Sequence, residues 1–189
     1  MSEYAVRDQL ERPRRAGMAV PDLVVSKLRP PLLRPATVVR SALIERLADG
    51  EARPLVSVVA PAGYGKTTLL SQWAERNGQA FAWVSVDDAD NDPKILLAYM
   101  AEALDAVQPI GGRVFDALAS PGSSVLGSVV PRLASAFSAM TTPVALVIDD
   151  VHLLRNFECR AALPVLADHV PAGSRLVLAG RDQPGTQMG

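Results

Sequence analysis

The stretch LVSVVAPAGYGKTTLL, residues 55–70, gathers the side chains best suited to chemistry. A β-branched apolar run, Leu55 to Val59, stops at Ala60-Pro61, and Gly65-Lys66-Thr67-Thr68 then opens a helical pattern. Strand, glycine-bearing loop and helix, in that order, form the context in which a loop binds phosphate. Gly63 and Gly65 let the backbone approach a phosphate and turn its N–H groups inward, with Pro61, Ala62 and Tyr64 completing the loop. The start of the helix adds unpaired donors and a favourable dipole. Lys66 is placed to set a point charge on the β- and γ-phosphates of a nucleotide. Thr67 is placed to put its hydroxyl on Mg2+, and Thr68 to lie beside the α-phosphate. The usual spacing begins with a glycine; Ala60 stands there instead, which alanine tolerates if its φ is negative.

Three further strand ends carry charged residues. The run Val144–Ile148 ends in Asp149-Asp150. An apolar strand ending in Asp is how a phosphate-loop protein holds Mg2+, so Asp149 is the candidate metal contact, and Asp150 the group that orients or deprotonates an attacking water. The run Leu176–Gly180 ends in Arg181, which either reaches the γ-phosphate or lies on the surface. The run Phe81–Val86 ends in Asp87-Asp88, read as a turn or helix cap. His152 and His169 read as core or surface histidines, since neither has a partner at metal-ligand spacing.

These ends are brought together by alternation of strands and helices from residue 55 onward, the signature of a parallel sheet with helices on both faces. In such a sheet the carboxyl ends of the strands share one edge, where ligands bind. Helices are expected over Val38–Ala48, with Val39, Leu43, Ile44 and Leu47 on one face, and over Lys66–Arg76, ended by Asn77-Gly78. Asp92-Pro93 reads as the start of a helix running to Val107. A short helix is expected over Val114–Ala119, another from Leu126 to Met140 with Pro131 near its start or kinking it, and a last one around Glu158–His169. Upstream, the prolines of Ser26–Pro35 exclude a regular helix and suggest an extended arm. The boundaries expected are a tail over 1–23 with basic Arg12, Arg14 and Arg15, one nucleotide-binding domain over 24–184 (arm and helix 24–50, core 54–181), and a tail over 185–189.

Composition narrows the function classes. A length of 189 residues with 49% apolar and 21% charged side chains supports one globular domain with a sizeable core. A net charge of −1 gives no general attraction to nucleic acid or to anionic membranes, and no basic recognition helix is evident, so direct DNA binding is not expected. The lone Cys159 allows no internal disulfide and fits a reducing compartment; with no membrane span or secretory signal, a cytoplasmic location is expected.

Taken together, KLRPP, TVVR, VSVVAPAGYGKTTLL, WVSVDDADND, LVIDDVHLL and LVLAGRDQP resemble the ATP-binding domain of large LuxR-type, maltose-regulator-like transcription regulators. The resemblance covers residues 24–184 and implies an α/β P-loop NTPase of the AAA+/STAND type, a three-layer fold with helices on both faces of a sheet of order 5-1-4-3-2. It implies ATP or ADP with Mg2+ as cofactors, a switch from a closed ADP form to a self-associating ATP form, and slow hydrolysis that resets the switch. Lys66, Thr67, Asp149 and Asp150 match the two ATP motifs, and Arg181 matches an arginine that reads the γ-phosphate. Val39 and Arg40 fall where such proteins pack an adenine-contacting segment, and Lys27 lies in the preceding arm. The fold is expected to be incomplete at its C-terminal end, truncated after the fourth core strand, without the lid, sensor repeats and helix-turn-helix of the longer regulators. The first strand would then be an exposed edge open to another chain. The leading expectation is a nucleotide-binding module with weak or no hydrolysis. The alternatives are an interaction fragment that associates with full-length regulators, and an independent kinase or ATPase.

Overall fold

The computed structural model describes residues 23–35, 37–49, 53–76 and 78–182. The basic cluster Arg12, Arg14 and Arg15, Asn77 of the expected helix stop, and the tail 185–189 lie outside them. Four parallel strands form one sheet: β1 (Leu55–Val59), β2 (Ala80–Ser85), β3 (Val144–Asp149) and β4 (Arg175–Gly180), in the order β1-β4-β3-β2. That is the order the resemblance implied for these four. β3 lies inside the sheet and is buried along its whole length, which is why its sequence is an unbroken apolar run.

Alternate residues of β2, β3 and β4 feed two cores, and β1 adds Val56 and Val58 to one of them. Ala82, Val84, Leu146, Ile148, Leu176 and Leu178 face one layer, with helices α3 (Pro93–Val107), α4 (Gly112–Ala119), α5 (Val130–Ser138) and α6 (Phe157–Ala167) contributing the rest. Trp83, Ala145, Val147, Val177 and Ala179 face the other, covered by α1 (Ser41–Asp49) and α2 (Lys66–Arg76) through Ile44, Leu69, Leu70 and Trp73. Local signals set the helix starts. Asp92 caps α3 by accepting from the Lys94 and Ile95 N–H groups, with Pro93 in its first turn. Asn156 caps α6 in the same way.

Three expectations need correction. The helix foreseen from Val38 starts only at Ser41. Gln72 of α2 holds the segment before it, donating to the Val38 carbonyl (3.0 Å) and accepting from the Arg40 N–H (3.4 Å), so residues 38–40 stay extended. Val39 and Leu43 are accordingly exposed, and the buried face of α1 is narrower than its apolar periodicity suggests. The helix foreseen from Leu126 begins as a π turn, Val125–Val129, before α5. Pro131 lacks the N–H that an α ladder needs there, and the carbonyls of Ser124 and Val125 are taken instead by Val129 and Val130. The arm is not wholly extended, since Val25–Leu28 forms one 3-10 turn.

Among the described residues β1 is paired only on its β4 side, with Leu55 and Val59 exposed. No helix among them is long and apolar enough to cross a membrane.

Candidate nucleotide site

The loop after β1 has the backbone that its sequence calls for. Gly63 and Gly65 sit at φ 80° and 76°, in the left-handed region that side chains disfavour. Ala60 is not among the residues of positive φ, so alanine replaces the usual glycine there without strain. Its N–H donates to the Gly180 carbonyl (3.3 Å), fixing the base of the loop to the end of β4. Lys66 is buried at the first position of α2. Its ammonium donates to the carbonyls of Ala60 (2.7 Å) and Pro61 (3.3 Å), across the mouth of the loop.

Beneath the loop, the Thr67 hydroxyl donates to Asp149 Oδ2 at 2.6 Å, joining residues 82 positions apart. Asp149 Oδ1 accepts from the Asp150 N–H (3.0 Å), and the residue is 2% exposed. Burial pushes the Asp149 carboxyl above its ordinary 3.8; the Thr67 hydrogen bond opposes this, the Asp150 charge adds to it, and Lys66 opposes it more weakly. A buried carboxylate beside a hydroxyl is a hard-oxygen donor pair suited to Mg2+. That ion takes few protein ligands and completes its shell with phosphate and water. The described residues hold no cluster of three or more His, Cys, Asp or Glu that could hold a metal ion. The glycine loop, the lysine and this pair therefore fit a magnesium nucleotide.

Asp150 turns away from the strand in the left-handed region (φ 57°), the one non-glycine among the described residues to do so. Backbone strain of this kind concentrates at functional sites. Arg181 follows Gly180 at the end of β4, exposed and next to the base of the loop. Thr68 is half-buried in the first turn of α2, and Pro61, Ala62, Gly63 and Tyr64 are exposed along the loop. Arg40 reaches the same place from outside the sheet: its guanidinium donates to the Tyr64 carbonyl (2.9 Å) and lies 3.6 Å from where a Gly65 Cβ would stand. Val39, beside it, is exposed.

Lys27 does not enter this site. Its ammonium pairs with Asp87 (2.7 Å) and Asp90 (2.8 Å) at the end of β2 and lies over the Tyr99 ring. Asp87 is a cap, as read, but in a reciprocal box with the fully buried Asp90. Sequence reasoning missed Asp90, Gln72 and Asn91. Asn91 ties the segment after Asp150 to β2, donating to the Leu153 carbonyl (2.9 Å) and accepting from the N–H groups of Arg155 (2.6 Å) and Asn156 (3.0 Å). An acid every third residue in Asp87-Asp88-Ala89-Asp90 was the available signal for the box. Gln72 and Asn91 carry no local signal.

Known proteins resemble this arrangement. The family model described as the AAA ATPase domain matches residues 39–178. The HTH-type transcriptional regulators MalT of Cronobacter sakazakii and of Serratia proteamaculans are each 34% identical to the chain over 165 residues, covering 86% of it. The chain spans 18% of the length of each of these curated relatives. Among solved structures, the Aeropyrum pernix Orc1 protein in complex with DNA superposes with a TM-score of 0.52 at 20% identity, over 81% of this chain and 42% of that one. This last likeness is one of fold.

Proposed function

For a chain that belongs to the AAA ATPase domain family, we propose the role of an ATP- and ADP-binding module within a LuxR-type, MalT-like transcription regulator. The observation that carries this reading is the Thr67–Asp149 hydrogen bond under the glycine loop, which joins the two sequence motifs that would hold a magnesium nucleotide. In this reading Lys66 leaves the loop carbonyls for the β- and γ-phosphates, and the N–H groups of residues 62–68 line the phosphate chain. Thr67 and Asp149 would hold Mg2+, which supplies charge neutralisation at the phosphate oxygens. Asp150 orients the attacking water and accepts its proton, and Arg181 reads the γ-phosphate. Val39 and Arg40 border the nucleotide beside Tyr64 and Gly65. Hydrolysis is slow, because Asp150 sits on a turn with its side chain 46% exposed rather than in a dry pocket. A second reading is favoured by the edge of β1: with Leu55 and Val59 each 41% exposed, this strand would pair with another copy or with a longer regulator.

Calorimetry with ATP and ADP, with and without Mg2+, tests the first reading. Lys66→Ala should weaken binding by about a hundredfold or more, the loss of charge-assisted bonds to phosphate. Asp149→Asn should remove the gain that Mg2+ brings. A folded Lys66→Ala protein with unchanged affinity would refute the loop assignment.

A further inference from the structure

His152 stands two residues beyond Asp150, on the 3-10 turn Val151–Leu153. Its side chain is 11% exposed, and among the described residues neither buried ring nitrogen has a hydrogen-bond partner. A buried imidazole without partners is uncommon and calls for a reason. The near group is the Asp150 carboxylate, with Nδ1 3.7 Å from Oδ1, just beyond hydrogen-bond range. The turn that carries the ring is wedged. Asn91 holds the Leu153 carbonyl on one side. On the other, Gly180 packs so closely that a Cβ there would stand 3.1 Å from Val151 Cγ1 and 3.5 Å from the His152 backbone nitrogen. The ring is thus presented to one side of Asp150, and no hydrogen bond among the described residues holds that carboxylate.

We propose that His152 is a positioning residue for Asp150: with nucleotide bound, its Nδ1–H closes on Asp150 Oδ1 and holds the carboxylate toward the attacking water. The closure required is about half an ångström. An ionised carboxylate accepts only, so a proton must be on Nδ1 for the bond to form. The water's proton still passes to Asp150; His152 neither gains nor loses one. This inference rests on the role proposed for Asp150.

The test is single-turnover ATP hydrolysis with Mg2+ by the full chain, with ATP affinity measured on the same samples. His152→Ala should slow hydrolysis by about tenfold to a hundredfold, the usual effect of losing a group that orients a catalytic one, with ATP affinity kept. His152→Asn places an amide N–H where Nδ1 stands and should restore most of the rate. His152→Gln donates from the Nε2 position and should not. Equal rates for the Asn and Gln variants, or a normal rate for His152→Ala, overturn the proposal, as does a wild type without turnover. Asp150→Asn separates the two failures. If it hydrolyses normally, the role of Asp150 falls; if it is slow while His152→Ala is normal, only the inference falls. With two histidines in the chain, nitrogen-15 NMR reads the tautomer directly in wild type bound to Mg2+ and a non-hydrolysable ATP analogue. Nδ1–H on His152 is expected, and Nε2–H overturns the proposal even if a variant fails to fold.

Discussion

Two neighbouring strands end in acids, and the chain treats them in opposite ways. At the end of β2, Asp87 and Asp90 receive their counter-charge from Lys27, which arrives from 63 residues upstream of Asp90 and ties the arm to the sheet. At the end of β3, Asp149 is buried like Asp90 but has a neutral hydroxyl, Thr67, as its side-chain partner. The Lys27 hydrogen bond pulls the Asp87 carboxyl down, whereas burial pushes that of Asp149 up. An acid cluster supplied with its own cation is finished architecture. One that is buried beside a hydroxyl and a glycine loop is suited to receive a cation from outside.

The sharpest way to break this comparison is to exchange the two lysines. Lys27→Met strands the fully buried Asp90 without its partner and should cost about 3 kcal/mol of stability in a urea titration. Lys66→Met deprives only two carbonyls of a donor, so its cost should be about 1 kcal/mol while nucleotide binding is lost. Equal losses of stability would erase the distinction. A double variant, Lys27→Met with Asp90→Asn, should regain part of the first loss.

Acid titration sharpens it further. The folded-state pKa of Asp149 lies above its ordinary 3.8, so above that value the folded state binds more protons than the unfolded chain. Stability therefore falls as pH rises from 3.8 through the folded value, and the penalty is complete above it. Asp87 has the reverse sign: lowered from 3.8, it adds stability above that value, and this is lost as pH falls through the folded pKa. Asp149→Asn should remove the falling limb and raise the melting temperature of the nucleotide-free protein at pH 7. Asp87→Asn should remove the rising limb below pH 4 or thereabouts. A neutral-pH melting temperature lowered by Asp149→Asn would contradict the account of that site.

The contrast also explains which parts were legible in the sequence. Lys66 and Thr67 follow a strand and open a helix within a few positions, and Asp149 ends an apolar run, so local order announces both halves of the proposed site. The parallel sheet follows from the same strand–helix alternation and the buried β3 from its unbroken apolar run, whereas the strand order came only with the family resemblance. The Lys27–Asp90 clamp, the Gln72 bracket around residues 38–40 and the Asn91 staple join residues distant in sequence. Nothing in their immediate surroundings foretells the meeting. The face of α1 was misjudged at Val39 and Leu43 because periodicity counts apolar residues, while the neighbouring helix decides which are covered. His152 read as unremarkable because a histidine's role depends on what the fold sets beside it.

The smallest effect probes the backbone of the two acids. Asp150 pays for its left-handed conformation, about 1–2 kcal/mol for a residue with a Cβ, less where a short polar side chain bonds locally. Glycine removes that strain but gains entropy in the unfolded chain, so Asp150→Gly should leave stability within about 0.5 kcal/mol of wild type or slightly above it. Asp150→Ala keeps the strain and should lie about 1 kcal/mol below the glycine variant. Hydrolysis should be lost in both. At Asp87 the backbone is extended (φ −131°) and the side chain caps the following turn, so the ranking should differ: alanine and glycine both lose the cap, and neither gains from relief of strain. Thermal melts of the four variants measure this directly. Alanine and glycine equal at position 150 would mean that Asp150 is not held left-handed in solution, and the presentation of its carboxylate to His152 would fail with it.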